Sequence, residues 1–133
     1  KANVELGARS RTSKWYPALA PLPRRLKQDV LLAIEAMGII DHLNDPVRIL
    51  SGGQQRRVAT ARALVQRPSI ILADEFLGEL DDDNVEIVLS TVKKMVREEG
   101  SALVMVEHHE ELARSIADRI WVIEDGCLKE EEV

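Results

Sequence analysis

The sequence predicts an α/β domain with a parallel sheet, and three observations carry that expectation. Ser51-Gly52-Gly53-Gln54 opens a helix; Ile70-Ile71-Leu72-Ala73 is a short, wholly apolar run closed by Asp74-Glu75; and Ala102 to Val106 is a second such run, closed by Glu107-His108-His109. Helices alternating with short apolar runs give the rhythm of a parallel sheet, whose strands are buried on both faces. Both runs end in ionisable residues, at the strand ends where open α/β sheets place their ligands.

Each element has its own local warrant. Lys1 to Pro23 reads as a loop-rich lead-in, because Pro17, Pro21 and Pro23 break any helix, and Arg9, Arg11, Lys14 and Trp15 form a small basic-aromatic patch. From Arg24 the pattern turns helical: Leu26, Val30, Leu31, Ile34 and Met37 recur at three- and four-residue spacing, and Gly38 is placed to stop the helix in the left-handed conformation. A short helical piece, Ile39 to Leu43, precedes the turn Asn44-Asp45-Pro46. Ser51 followed three residues later by Gln54 is a capping box, so a helix starts there and runs to about Gln66, where Arg67-Pro68 closes it. Asp81 to Asn84 supply acids and caps for a third helix, with Val85, Val88, Val92, Met95 and Val96 as its apolar face, Lys93, Lys94 and Arg97 at its end and Gly100 as its stop. Glu110 to Ile116 reads as a short helix, and Ile120 to Ile123 with Cys127 to Lys129 as a hairpin around Asp125-Gly126. Glu130-Glu131-Glu132 reads as a solvated tail.

Bulk properties narrow the function classes. The 133 residues suffice for one compact domain, 45% hydrophobic and 31% charged residues are ordinary for a globular chain, and no apolar run approaches the roughly 18 residues that span a bilayer. A net charge of -5 argues against sequence-independent binding to nucleic acid. Cys127 is the only cysteine, and Lys1 to Ser10 does not read as a signal peptide, so a reducing cytoplasmic setting is expected.

The chemistry-bearing residues fall into three constellations. In Leu50 to Arg57, two glycines permit close backbone approach while a helix amino end presents unpaired N–H groups that favour an anion; on spacing alone this is equally a plain capped helix after a turn. The full string, Leu50-Ser51-Gly52-Gly53-Gln54 continued as Gln55-Arg56-Arg57-Val58-Ala59 and Ala61-Arg62-Ala63-Leu64, resembles the signature motif of ATP-binding-cassette (ABC) ATPases. The apolar run closed by Asp74-Glu75 resembles that family's Walker B motif, which implies Asp74 as the Mg²⁺-holding carboxylate and Glu75 as the group that polarises the attacking water. Gly78-Glu79-Leu80-Asp81 stands in the place of the D-loop: Asp81 matches, whereas Phe76-Leu77 and Gly78-Glu79 depart from the usual Pro-Thr and Ser-Ala. Counting back from Ala117-Asp118-Arg119, His108 is similar to the switch histidine that contacts the γ-phosphate, His109 reads as a surface residue, and His42 carries no assigned role.

Taken together, the resemblance implies a partial P-loop NTPase fold, with residues 1–66 as the helical subdomain and 67–133 as the C-terminal part of the RecA-like α/β core. It implies ATP and Mg²⁺ as cofactors, Ser51, Gly52, Gly53, Gln54 and Asp81 as nucleotide-facing residues, and a second ATPase subunit packed head to tail. It further implies transmembrane permease subunits facing Arg9 to Trp15 and the helix from Arg24, at the inner face of the membrane. Asn3-Val4, Gly7, Arg11-Thr12-Ser13, Trp15 and Gly38-Ile39-Ile40-Asp41 resemble phosphonate-type importer ATPases. Two other classes remain: a soluble ABC ATPase of DNA repair or translation, opposed by the acidic balance and the lack of a coiled-coil insertion, and a non-catalytic binding module.

The 133 residues contain no G-x-x-x-x-G-K-[ST], hence no backbone nest for the α- and β-phosphates and no bridging lysine. An α/β core lacking that strand and loop is expected to expose an apolar face and a strand edge, and so to self-associate. The chain by itself is predicted neither to bind ATP tightly nor to hydrolyse it; micromolar affinity in a calorimetric titration would contradict this.

Overall fold

Helix α3 (Gly52–Leu64) is the element against which the others assemble. The computed structural model of the chain describes residues 1–17, 19–77 and 82–131, with 82–84 described for their backbone alone. In chain order the elements are α1 (Ala2–Arg9), α2 (Arg24–Ala36), α3, β1 (Ile70–Asp74), α4 (Asp82–Glu99), β2 (Ala102–Val106), α5 (Glu110–Ile116), β3 (Ile120–Glu124) and β4 (Cys127–Glu131). Single 3₁₀ turns occupy Ile40–His42 and Val47–Ile49 between α2 and α3. The α/β expectation is met, and among the described residues no helix is long and apolar enough to cross a membrane.

The four longer helices bury one continuous core. Leu26, Val30 and Ile34 recur every fourth residue on α2, Val58, Ala61 and Leu64 line α3, and Val88 and Val92 come from α4; all are buried together with Met37, Ile39 and Leu50. Alpha-2 ends in a Schellman motif: Gly38 has φ +61, its N–H donates to Glu35 O at 2.8 Å, and Ile39 N–H reaches back to Ile34 O at 3.2 Å. Gly100, at φ +66, ends α4 in the same way, with Ser101 N–H donating to Val96 O at 3.0 Å. The chain then enters β2 beside β1 in parallel register, from Ile70 opposite Ala102 to Asp74 opposite Val106.

Three expectations are corrected. Residues 2–9 are a helix, not loop: the prolines begin only at Pro17, and Val4, Gly7 and Ala8 make a small-residue stripe that lies against α3. Here Gly7 is a packing residue, since a Cβ at that position would stand 2.3 Å from Arg62 O. The strands are also not buried on both faces. Ile71, Leu103 and Met105 pack against the helical core, whereas Ile70 and Leu72 are 61% and 78% exposed and Val104 and Val106 are each 51% exposed. Finally, Glu130 and Glu131 are strand residues rather than tail. Glu131 accepts from Arg114 of α5 at 2.6 Å and Glu130 from Arg119 at 2.7 Å, so that hydrogen bond, with the Arg119 charge, holds the Glu130 carboxyl below the usual carboxylate range. Asp125 and Gly126, both at positive φ, form the turn between β3 and β4 as expected.

Arg67, at φ +51 in the link between α3 and β1, ties α2 to α4. Its guanidinium lies 3.2 Å from Glu99 at the end of α4 and 3.6 Å from Asp29 of α2, and Asp29 also accepts from Arg11 at 2.6 Å. Thr91 of α4 donates to Ala36 O at 3.2 Å, a second tie between α2 and α4.

Two opposed effects meet at Gly7. Alanine is favoured over glycine in a helix by about 1 kcal/mol, but a methyl group driven onto a backbone carbonyl forces α1 off α3. Gly7→Ala is therefore expected to lower the stability of the chain by about 1–3 kcal/mol, read as a lower urea midpoint at unchanged slope; a midpoint at or above that of the parent chain would show that α1 does not pack this closely.

Candidate functional site

The amino end of α3 is built as the sequence predicted and faces solvent. Ser51 Oγ accepts from Gln54 N–H at 3.3 Å, and Gln54 Oε1 accepts from Ser51 N–H at 2.9 Å, completing the capping box. Buried Leu50 anchors the entry, and Gln55 Nε2 donates to Leu50 O at 2.9 Å. Ser51 and Gly52 are exposed, so the N–H groups of the first turn, with the positive end of the helix dipole behind them, are accessible to an anion.

The second half of the site lies where β1 and β2 end. Asp74 is the last residue of β1 and is exposed, on the same pleat face as Ile70 and Leu72. Glu75 leaves the strand at φ +43, a left-handed conformation that costs a non-glycine residue about 1 kcal/mol. Its N–H still donates to Val106 O at 3.2 Å, so the turn begins while the chain is held to β2. The outcome is that Glu75 Oε1 meets His108 Nε2 at 2.7 Å, across 33 residues of sequence. A carboxylate only accepts, so His108 donates through Nε2. Both side chains are mostly exposed, which keeps the pair in reach of water and of a ligand.

The structure thus brings Glu75 and His108 together, and Ser51 and Gln54 together, as two clusters. Arg56, one turn into α3, joins them by donating to the Glu75 carbonyl. Asp74 adjoins Glu75 in sequence, Gly53 lies in the first turn of α3, and Asp81 lies outside the described residues. His109 is exposed and stands at the N-cap position of α5, with no capping hydrogen bond from its side chain.

Three participants were not singled out from sequence. Arg56 is one. Glu107 is another: its Oε1 accepts from the backbone N–H of His108 at 3.0 Å and of His109 at 3.2 Å, fixing the loop that presents His108. His42 is the third, with Nε2 2.8 Å from Gln54 Nε2 and Nδ1 2.8 Å from Asp45 Oδ2. Spacing gave no signal for His42, because its 3₁₀ turn is brought to α3 by the Schellman stop of α2, a tertiary effect.

The described residues include no cluster of three or more His, Cys, Asp or Glu suited to holding a metal ion on their own. One exposed carboxylate at a strand end is, however, the donor set that Mg²⁺ uses when nucleotide phosphates and water complete its shell, and Asp74 fits that description.

Comparison with known proteins identifies the family to which the chain belongs. The phosphonates import ATP-binding protein PhnC of Escherichia coli (strain UTI89) is 36% identical over 134 residues, a match covering 96% of this chain and 51% of that protein. The hypophosphite import ATP-binding protein HtxD of Stutzerimonas stutzeri is 38% identical over 122 residues, covering 91% of this chain and 36% of that protein. The chain thus spans about half the length, or less, of these curated relatives. Among solved structures, the dimeric bacterial ABC transporter cassette MJ0796 superposes with a TM-score of 0.81 at 34% identity, over 97% of this chain and 54% of that one. The family profile for ABC transporters matches residues 3–78, from α1 through the capped helix to the end of β1 and the Glu75 turn, and the chain belongs to the ABC transporter family.

Proposed function

We propose that the chain is part of the ATP-binding and ATP-hydrolysing subunit of an ABC importer, energising solute uptake, with phosphonates or related phosphorus oxyanions as the solute class. One observation carries the proposal: the 2.7 Å contact between Glu75 and His108 at the carboxyl ends of two parallel strands, joined through Arg56 to the exposed amino end of α3. The import functions named for the PhnC and HtxD relatives support the solute class.

In this reading residues 1–66 are the helical subdomain and 67–133 the C-terminal part of the catalytic core. Asp74 would hold Mg²⁺ through water; the ion's chemistry is to neutralise phosphate charge as it develops. Glu75 accepts the proton of the attacking water: His108 occupies Oε1, which leaves Oε2 for the water and fixes the carboxylate plane. His108 presents its imidazole toward the terminal phosphate, and Glu107 holds its backbone. Ser51, Gly52, Gly53 and Gln54 direct N–H groups at a nucleotide held by a second, head-to-tail subunit, and Asp81 serves the same interface. Trp15 and Leu19, 94% and 98% exposed, give the permease-facing side an apolar contact, while Arg9 and Arg11 are spent on Ala20 O and Asp29. The subunit sits on the cytoplasmic face of the membrane.

The exposed face of Ile70, Leu72, Val104 and Val106, on a sheet of two strands, is the surface through which the 133-residue chain self-associates when nothing else covers it. Light scattering is expected to give at least about twice the chain's 14.9 kDa; a stable monomer at high concentration would refute the self-association.

For the activity, the assay is Mg-ATP hydrolysis by the intact ATPase that carries this chain, reconstituted with its permease. Glu75→Gln is expected to lower kcat by about 100-fold or more, and His108→Ala by a similar factor, with folding unchanged by circular dichroism. Turnover within threefold of the parent in Glu75→Gln would remove Glu75 from the chemistry.

A further inference from the structure

The side chain of Gln54 is held at both ends, and the donors and acceptors along that chain can be assigned in one way. Ser51 N–H is a donor only, so the amide atom 2.9 Å from it must be Oε1. This leaves the amide nitrogen, also a donor only, 2.8 Å from His42 Nε2, which must therefore be an unprotonated acceptor. The neutral ring then carries its proton on Nδ1, and Nδ1 lies 2.8 Å from Asp45 Oδ2, a carboxylate that accepts it. The sequence of bonds runs from Ser51 N–H to Gln54 Oε1, from Gln54 Nε2–H to His42 Nε2, and from His42 Nδ1–H to Asp45.

We infer that His42, oriented by Asp45, is a positioning residue that fixes the Gln54 amide and through it the amino end of α3. Without an acceptor at Nε2, the Gln54 amide keeps a single bond at its Oε1 and rotates about χ3, a soft torsion with two broad wells. In the rotated state its NH₂ faces Ser51 N–H, donor against donor, and the reciprocal half of the capping box is lost. His42 and Asp45 are each only part-buried, at 35% and 41% side-chain exposure, so their effect is on orientation more than on global stability. The 3₁₀ turn that carries His42 follows directly from the Schellman stop at Gly38 and Ile39, so the packing of α2 is transmitted to the cap of α3. This inference rests on the proposed role of Ser51 to Gln54 as the nucleotide-facing end.

The test separates the two. On the 133-residue chain, long-range ¹H–¹⁵N spectra are expected to show His42 in the Nδ1–H tautomer at neutral pH. His42→Phe keeps ring bulk but removes the acceptor, and is expected to speed exchange of the Ser51 amide about fivefold or more; His42→Gln, whose Oε1 falls near the place of Nε2, is expected to restore the parent rate. An Nε2–H tautomer, or equal exchange in the parent, Phe and Gln chains, overturns the inference. In the intact ATPase, His42→Phe is expected to raise KM for Mg-ATP about three- to tenfold with kcat within twofold, and His42→Gln to return KM to the parent value. Faster Ser51 exchange with unchanged kinetics leaves the positioning role of His42 standing and sinks the nucleotide-facing role of the cap.

Discussion

The structure depends on one constraint: α3 must be packed along its body by three helices while its first turn stays open to solvent. Packing alone would favour covering that turn too. The chain meets this with local hydrogen bonds, since Ser51, Gln54 and Gln55 satisfy the backbone groups around the start of the helix from within the motif itself, and His42 adds a tertiary contact at the Gln54 amide without covering the turn. Farther along, Val58, Ala61 and Leu64 are buried, and Gly7 lets α1 come close enough to seal that side. The change from exposed to buried thus occurs within two turns of one helix, and Arg56 sits at the transition, reaching the Glu75 carbonyl.

A similar division governs the strand ends. Glu75 adopts a left-handed conformation that a β-strand cannot continue, and a non-glycine residue is kept there although glycine would relieve the strain at once. The carboxylate explains why: glycine would satisfy the backbone but leave His108 without its 2.7 Å partner. In the proposed role of Glu75 as the group that accepts a proton, strain of about 1 kcal/mol is small beside the loss of that positioned carboxylate, and the ladder bond to Val106 O holds the strained turn in place.

How much of this was legible in the sequence follows from the range of the interactions. The capping box, the glycine stops at Gly38 and Gly100 and the Asp125-Gly126 turn are set within a few residues, and all were read from the chain. Alpha-1 was missed because its signal is a stripe of small residues, Val4, Gly7 and Ala8, which becomes a helix face only once α3 is there to receive it. The Asp74-Glu75 and His108 residues were found by resemblance to a known family, but their meeting across 33 residues, like the approach of His42 to Gln54, is a product of tertiary packing. Glu107 went unnoticed because a glutamate after a strand is ordinary, and only the two backbone N–H groups it accepts from give it a role.

The pleat of β1 links the apolar face to the site chemistry. Side chains alternate along a strand, so Ile70, Leu72 and Asp74 point to one side while Ile71 and Ala73 point to the helices. The exposed apolar surface therefore leads directly to the carboxylate at the strand end, with Val104 and Val106 beside it on β2. Anything that covers this face to remove Leu72 from water must come within a few residues of Asp74 and must leave that carboxylate solvated or paired, because burying it bare would cost more than covering the leucine gains. Covering the sheet and completing the site are for this reason one structural problem, and a covering element that carried its own polar groups for Asp74 would solve both together.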